Sequence, residues 1–413
     1  MNEYLTRIID SILPTYLQAF GAVNIQGPKG CGKTSTAKRY AQSSFFVDDP
    51  GKNFQNRALA TLEPSLILQG EHPRLIDEWQ EVPPLWDGVR MAVDRLGFTG
   101  HFILTGSMKA DQKKYFHSGA GRFGRLKMWS MSLFESGDSS GIVSLNALME
   151  GSMASTMIDD VRLKTLATLI LRGGWPQNIG VDPPQIAQHL PTIIDEGIKK
   201  VDDRRRNQEK LYCLLRALAR NESRVISNAG LKKDMHVVEG KSVDEDTITN
   251  YLDFLDALYL LENQSPFNPI SRLRSKRGEK RHFTDPSFAA SLLGITEENQ
   301  LINDIETFEL LFEALCIRDL RIYANSFGGE LYHYQDYGNN EIDAIVALPN
   351  RTWAAFAIVL GAHQIDEAAE KLIKLNAEFK RPASVLGIVC GLTSAAFTLP
   401  SGVHVIPITA LGP

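Results

Sequence analysis

The residues best suited to chemistry lie near the start of the chain. Gly27-Pro28-Lys29-Gly30-Cys31-Gly32-Lys33-Thr34, followed by Ser35, fits the pattern G-x-x-x-x-G-K-[ST]. Glycines let a backbone turn tightly enough for successive N–H groups to point inward at phosphate oxygens. A helix opening at the lysine would aim its positive end at the same anion. Lys33 then reaches the outer phosphates and Thr34 offers its hydroxyl to Mg²⁺, so the expected ligands are ATP and magnesium. Leu75-Ile76-Asp77-Glu78 is an apolar run ending in two carboxylates, suited to a strand whose tip faces a ligand crevice. Asp77 would hold the magnesium through its water shell, and Glu78 would orient and polarise an attacking water. Phe102-Ile103-Leu104 ends in Thr105-Gly106-Ser107, where Thr105 and Ser107 could sense the terminal phosphate. Arg122 and Arg125, in a glycine-flanked run, are candidates for stabilising charge on a transferred phosphoryl group, from within the chain or from a neighbouring subunit. The plain alternative for both is a solvated surface arginine.

These residues need a parallel sheet to position them, and the pattern predicts one. Up to about residue 150, short apolar strands at 22–27, 73–79 and 100–107 alternate with amphipathic helices at 35–44 and 85–96. The small, acidic stretch 150–160 looks like a connector. Residues 151–295 read mainly as helices; Ile248, Tyr251, Leu252, Leu255 and Leu258 recur at spacings of three and four on one helical face. A basic segment at 267–285 follows, with Gly278 expected at a hairpin tip and Asp285-Pro286 expected to open the next helix. Helix, basic hairpin, helix is the outline of a winged-helix unit. Arg272, Arg274, Lys276, Arg277, Lys280 and Arg281, opposed by Glu279, would form a cationic wing able to lie along the phosphates of double-stranded or branched DNA. The alternative is a solvated hairpin or an internal docking surface. From 296 to 413 a long helix and apolar strands at 330–335, 341–348, 352–360, 384–390 and 404–408 predict a second α/β domain.

Together GPKGCGKT, LIDEWQEVP, ILTGS and GRFGRLKMWSMSLFESGDSS closely resemble the AAA+ class ATPases that carry a C-terminal DUF4143 domain. Arg172 to Pro176 (RGGWP), RHFTDPSFAASLLG and FEALCIRDLRIYA extend the likeness across most of the chain. The resemblance implies an α/β fold class with an AAA-type P-loop core, a winged-helix middle and a C-terminal domain similar to restriction endonucleases. Nucleases of that fold need carboxylates that gather Mg²⁺ and a lysine that positions water. Glu313 and Asp343 match the first two carboxylate positions. The next strand should carry Glu-x-Lys, two residues apart on one face, often as Phe-Glu-Ile-Lys-Leu-Gly. This chain has Phe356-Ala357-Ile358-Val359-Leu360-Gly361, so Ala357 and Val359 stand where the reactive pair belongs. Glu341, His363 and Asp366 are nearby but out of register. The expectation is a degenerate nuclease-like domain without cleavage activity. AAA-like cores often share an arginine between subunits, so a homo-oligomer is also implied.

Composition bounds the rest. Of the 413 residues 43% are apolar and 23% charged, which excludes disordered and fibrous classes. No run approaches the ~20 uncharged residues of a membrane span, and the first residues lack the layout of a secretory leader. Cys31, Cys213, Cys316 and Cys390 are too scattered for a zinc site or a disulfide framework. A soluble, reduced, cytoplasmic protein is expected. A net charge of −5 means that any nucleic-acid contact must come from a local patch. Three functions follow: an ATPase acting on DNA, a nucleotide-dependent signalling or defence switch acting on a protein partner, and, disfavoured, a metal-dependent nuclease.

Overall fold

The computed structural model describes residues 4–51, 55–97, 99–109, 119–181, 191–196, 208–241, 243–268 and 276–413. The chain divides into two compact units, 1–130 with 254–260, and 131–253 with 261–413.

The first unit is built on β1 (Ala22–Gln26), β2 (Ser43–Phe46), β3 (Arg74–Asp77), β4 (Phe102–Gly106) and β5 (Phe123–Lys127). They form one parallel sheet in the order β2-β3-β4-β1-β5. Ala22, Val23, Asn24 and Ile25 are buried on both faces of β1, as a central parallel strand requires. Among the described residues this unit contains the helices α1 (Ile9–Ala19), α2 (Lys33–Tyr40), α3 (Gln55–Leu62), α4 (Pro64–Ile67) and α5 (Pro84–Leu96). Leu85, Trp86, Val89 and Val93 fall on one face of α5 and are buried with Trp79, Phe102, Leu104 and Phe123. Trp86 stacks on Phe123 with ring centroids 3.8 Å apart. Gly21 is demanded by this packing, since a Cβ there would lie 2.2 Å from Val93 Cγ1. The sheet order sets the site: Gln26 lies beside Gly106, and Asp77 beside Thr105, so the carboxyl ends of β1, β3 and β4 share one edge.

In the second unit the strand Arg224–Val225 pairs antiparallel with Lys280–Arg281, and Leu261 and Gln264 bridge Phe283 and Lys280. Helices Gln208–Arg220 and Asn228–Glu239 accompany these strands, and the helix Glu245–Ala257 belongs to this unit up to Asp253. Ile248, Tyr251, Leu252, Leu255 and Leu258 are buried, in line with their spacing. Most of the segment that would form a hairpin tip around Gly278, residues 269–275, is outside the described residues. Gly278 lies just before Lys280, beside the strand Glu330–Gln335: its carbonyl accepts from His333 Nε2 at 3.0 Å, and the neighbouring Lys276 N donates to Gln335 O at 2.7 Å. Asp285 does cap the helix Pro286–Leu292, its carboxylate accepting from Ser287 N. The stretch read as a connector supplies a short strand, Thr156–Met157, paired with Ala395–Ala396.

The C-terminal sheet runs Thr156–Met157, Ala395–Thr398, His404–Pro407, Val385–Leu392, Trp353–Gly361, Glu341–Ala347, Glu330–Gln335, Ser265–Pro266. Its strands are mixed in direction, and the helix Ile305–Ser326 packs on them. A buried ionic network joins segments distant in sequence. Arg318 bonds Asp285 at 3.1 Å and pairs with Asp319 at 2.7 Å. Asp285 also accepts from Gly174 N and Asp319 from Leu133 N, each at 2.9 Å. Trp175 Nε1 donates to Ser287 Oγ, and its ring stacks on Phe288. The RGGWP, TDPS and RDL strings thus answer a structural need: the buried Arg318 guanidinium lies between the Asp285 and Asp319 carboxylates, which in turn accept from backbone N–H groups.

Candidate functional site

The loop after β1 begins with Gly27, where a side chain is impossible because a Cβ would lie 1.9 Å from Met128 O. Gly30 and Gly32 take φ of 84° and 105°, values that favour glycine, and Gly32 leads directly into α2. Lys29, Gly30 and Ser35 are exposed, whereas Pro28 and Cys31 are buried, with Cys31 Sγ donating to Met128 O at 3.6 Å. The Lys33 ammonium is 4% exposed and folds back on the loop, donating to Gly27 O at 2.9 Å and Pro28 O at 2.8 Å.

Thr34 and Asp77, expected to share a cation, are already in contact. Thr34 Oγ1 donates to Asp77 Oδ1 at 2.7 Å, and Thr105 Oγ1 donates to the same oxygen at 2.5 Å. Burial raises the Asp77 carboxyl above the usual range, and the hydroxyls of Thr105 and Thr34 oppose that shift. Glu78 takes φ of 54°, in the left-handed region uncommon for a residue with a side chain. Its Oε2 accepts from Ser107 Oγ at 2.7 Å and from Gln80 Nε2 at 2.5 Å. Strained backbone held by surrounding contacts is a recurrent feature of functional positions.

The donor set fits nucleotide and magnesium. The loop is a glycine cradle with a buried ammonium, and Thr34 and Asp77 offer the hard oxygens that Mg²⁺ prefers. Among the described residues, no group of three or more His, Cys, Asp or Glu is placed to hold a metal. A cation at Thr34 and Asp77 would therefore take its remaining ligands from phosphate and water.

Two residues that contact this loop and its strand-end acid escaped sequence reasoning. Arg7, 5% exposed, donates to Cys31 O at 2.6 Å and to Trp129 O at 2.9 Å, bracing the loop from outside. Gln80 shares the Glu78 carboxylate with Ser107. Neither falls in a recognisable motif.

The arginine candidates do not gather here. Arg122 lies just before β5; its carbonyl accepts from Ala22 N, at the sheet edge opposite the loop, and Nε bonds Asp94 at 2.9 Å. Arg125 lies beside Asn24 in mid-strand, its guanidinium over the Trp86 ring. Neither stands at the loop of its own chain.

The cationic wing is also corrected. Arg272 and Arg274 lie outside the described residues. Arg277 is exposed, and Lys276 Nζ bonds Asn339 at 3.0 Å. Lys280 is 1% exposed and paired with carboxylates, while Arg281 is largely buried and bonds Asn228. The strand carrying Lys280 and Arg281 is packed within the unit, which removes Lys280 from any phosphate-facing surface and leaves the Arg281 side chain 14% exposed. Glu313, on the helix Ile305–Ser326, and Asp343, in the strand Glu341–Ala347, do meet, with Glu341, around Lys280. Ala357 and Val359 line the adjoining cavity.

Residues 19–136 match the AAA domain family, residues 163–299 a domain of unknown function, DUF8612, and residues 308–411 another, DUF4143. No curated protein matches the chain. Among solved structures, a Walker-type ATPase of Pyrococcus abyssi is similar at 14% identity and a TM-score of 0.43, over 70% of this chain and 96% of that one. RuvB of Thermotoga maritima, a Holliday junction branch migration motor, aligns at 16% identity and a TM-score of 0.29, over 62% and 89%. The Drosophila ORC bound to DNA aligns at 12% identity and a TM-score of 0.19, over 69% and 84%. No helix among the described residues is long and apolar enough to cross a membrane.

Proposed function

For a chain that belongs with the AAA+ ATPases carrying a C-terminal DUF4143 domain, we propose that the first unit binds and hydrolyses Mg²⁺·ATP. The observation that carries this reading is the convergence of Lys33 on its glycine loop with Thr34 and Thr105 on one oxygen of Asp77. Loop amides and Lys33 would hold the phosphates, and Thr34 with Asp77 would hold magnesium. Bound magnesium supplies charge neutralisation and orientation of the phosphates. Glu78, held by Ser107 and Gln80, would orient water and accept its proton, and Thr105 or Ser107 would report the terminal phosphate. The arrangement of Arg122 and Arg125 favours an arginine supplied by a neighbouring copy, and hence an oligomer.

The second unit is the proposed effector. Helices 208–220, 228–239 and 245–257 with strands near 224, 261–264 and 280–283 support a winged-helix reading of its middle part. Of the wing residues, Arg272, Arg274, Lys276 and Arg277 are the ones left to contact DNA in this reading. The burial of Lys280 and Arg281 favours the second reading, a nucleotide-dependent switch acting on a protein partner. Metal-dependent cleavage remains disfavoured by Ala357 and Val359.

ATP turnover measured against protein concentration, with and without duplex or branched DNA, tests these readings together. Wild-type protein should hydrolyse ATP, and Glu78→Gln should retain bound ATP without turnover. A rise with DNA that disappears on neutralising Arg274, Lys276 and Arg277 supports the DNA reading; DNA-independent turnover supports the switch. Turnover unchanged in Glu78→Gln would refute the hydrolytic assignment.

A further inference from the structure

A cavity of about 800 Å³ opens in the second unit beside the helix Ile365–Asn376, with Glu341, Asp343, Ala357 and Val359 in its wall. A restriction-endonuclease-like fold implies a divalent cation at this point. The residues present do not fit one. Lys280 Nζ lies 2.5 Å from Glu313 Oε1, 2.5 Å from Glu341 Oε1 and 3.8 Å from Asp343 Oδ1. The remaining Asp343 oxygen accepts from Ile358 N at 2.8 Å. Ala357 and Val359 offer no donor atom, and among the described residues no acidic grouping is arranged for a metal.

The lysine is firmly placed. Its backbone exchanges two hydrogen bonds with Gln264, at 2.9 and 3.0 Å, and the Gln264 amide donates to Tyr332 O and Asp343 O at 3.1 Å each. At 1% exposure the ammonium is shielded from water on every side by protein. Burial works against its charge, but Glu313, Asp343 and Glu341 outweigh that and hold it above the usual lysine range. Burial pushes Glu313 up to about 8, with Lys280 opposing. Moreover, Lys280 lies outside the 308–411 segment that supplies the carboxylates, so the cation is imported from the preceding part of the chain.

We propose that the Lys280 ammonium is the resident cation of this carboxylate site, standing in place of a divalent ion. The site therefore takes up neither Mg²⁺ nor Mn²⁺, and its carboxylates hold the 261–283 strands on the C-terminal sheet. This concerns the second unit alone and does not depend on the nucleotide reading.

Two measurements on nucleotide-free, full-length protein test it. Mn²⁺ binding is followed by water-proton relaxation in an Asp77→Asn background, which silences the first unit's strand-end acid. That protein should bind no Mn²⁺ at the cluster, Lys280→Met should gain one ion, and adding Asp343→Asn should remove it. In wild-type protein, acylation of Lys280, read by mass spectrometry, should be at least about tenfold slower than that of exposed Lys374, because the buried pair must open first. Saturating Mn²⁺ should leave that rate unchanged. Three results would each overturn the proposal: Mn²⁺ binding by the Lys280-intact protein that Asp343→Asn abolishes, a folded Lys280→Met variant that gains no ion, or Lys280 acylation accelerated by Mn²⁺. If Lys280→Met does not fold, the acylation rates in wild-type protein decide.

Discussion

Replacing Arg7 by methionine should loosen the phosphate-binding loop without removing any group that would meet the phosphates. The buried guanidinium gives one hydrogen bond to Cys31 O and one to Trp129 O. Methionine fills much of the volume but donates nothing, so both carbonyls lose a charged donor where the arginine is only 5% exposed. Hydrogen bonds to charged groups contribute about 1.5–3 kcal/mol each, so with two of them the first unit should lose about 3–6 kcal/mol. That is a large part of the roughly 5–15 kcal/mol that holds an ordinary domain together. Should about 1.4 kcal/mol of it appear as freedom of the folded loop, ATP affinity falls about tenfold. Urea unfolding and calorimetric ATP titration, at a temperature where the variant stays folded, read the two effects separately. Arg7→Lys, which keeps the charge but cannot span both carbonyls as a planar fork does, should fall between. A methionine variant with the wild-type urea midpoint and wild-type ATP affinity would refute the bracing role.

Acid should weaken the second unit through His333. Burial, and then Lys280, lower its pKa to about 4. Between about 6.5 and 4 the unfolded chain takes up a proton that the folded one refuses, so stability falls as pH falls, by about 1.4 kcal/mol per pH unit at most. His333→Gln should flatten this dependence in urea unfolding from pH 7 to 4.5; an unchanged slope would clear His333 of the effect. Arg318→Met should cost about 3–5 kcal/mol, because it leaves Asp285 and Asp319 buried without their counter-charge. Calorimetry showing a loss under 1 kcal/mol, read as roughly a surface-like value, would contradict that network's role.

What could be read in the sequence depended on how local each feature is. The phosphate-binding loop is contiguous, and its glycines, lysine and threonine occupy successive positions with one geometric purpose. Asp77 and Thr105 were legible because each ends an apolar run, and parallel pairing brings such ends together. Arg7 was not, since its partners are backbone carbonyls 24 and 122 residues away, and a carbonyl has no side-chain signature. Lys280 misled because a run of cations suggests a solvated patch. Strand alternation sends Lys280 and His282 inward instead, Lys280 toward acids that come much later in the chain and His282 toward Glu222, 60 residues earlier. Gly278 marks a place of close approach, a Cβ there falling 2.6 Å from Val225 Cγ1. The strand Thr156–Met157 is too short for any alternation to show.

Equilibrium binding of ATP in the presence of Mg²⁺, compared between wild-type protein and Lys33→Ala, bears most directly on the nucleotide site. Wild-type protein should bind with magnesium-dependent affinity, and the alanine variant, folded to the same urea midpoint, should lose most of it. Equal binding by the two proteins, or none by either, would contradict the assignment.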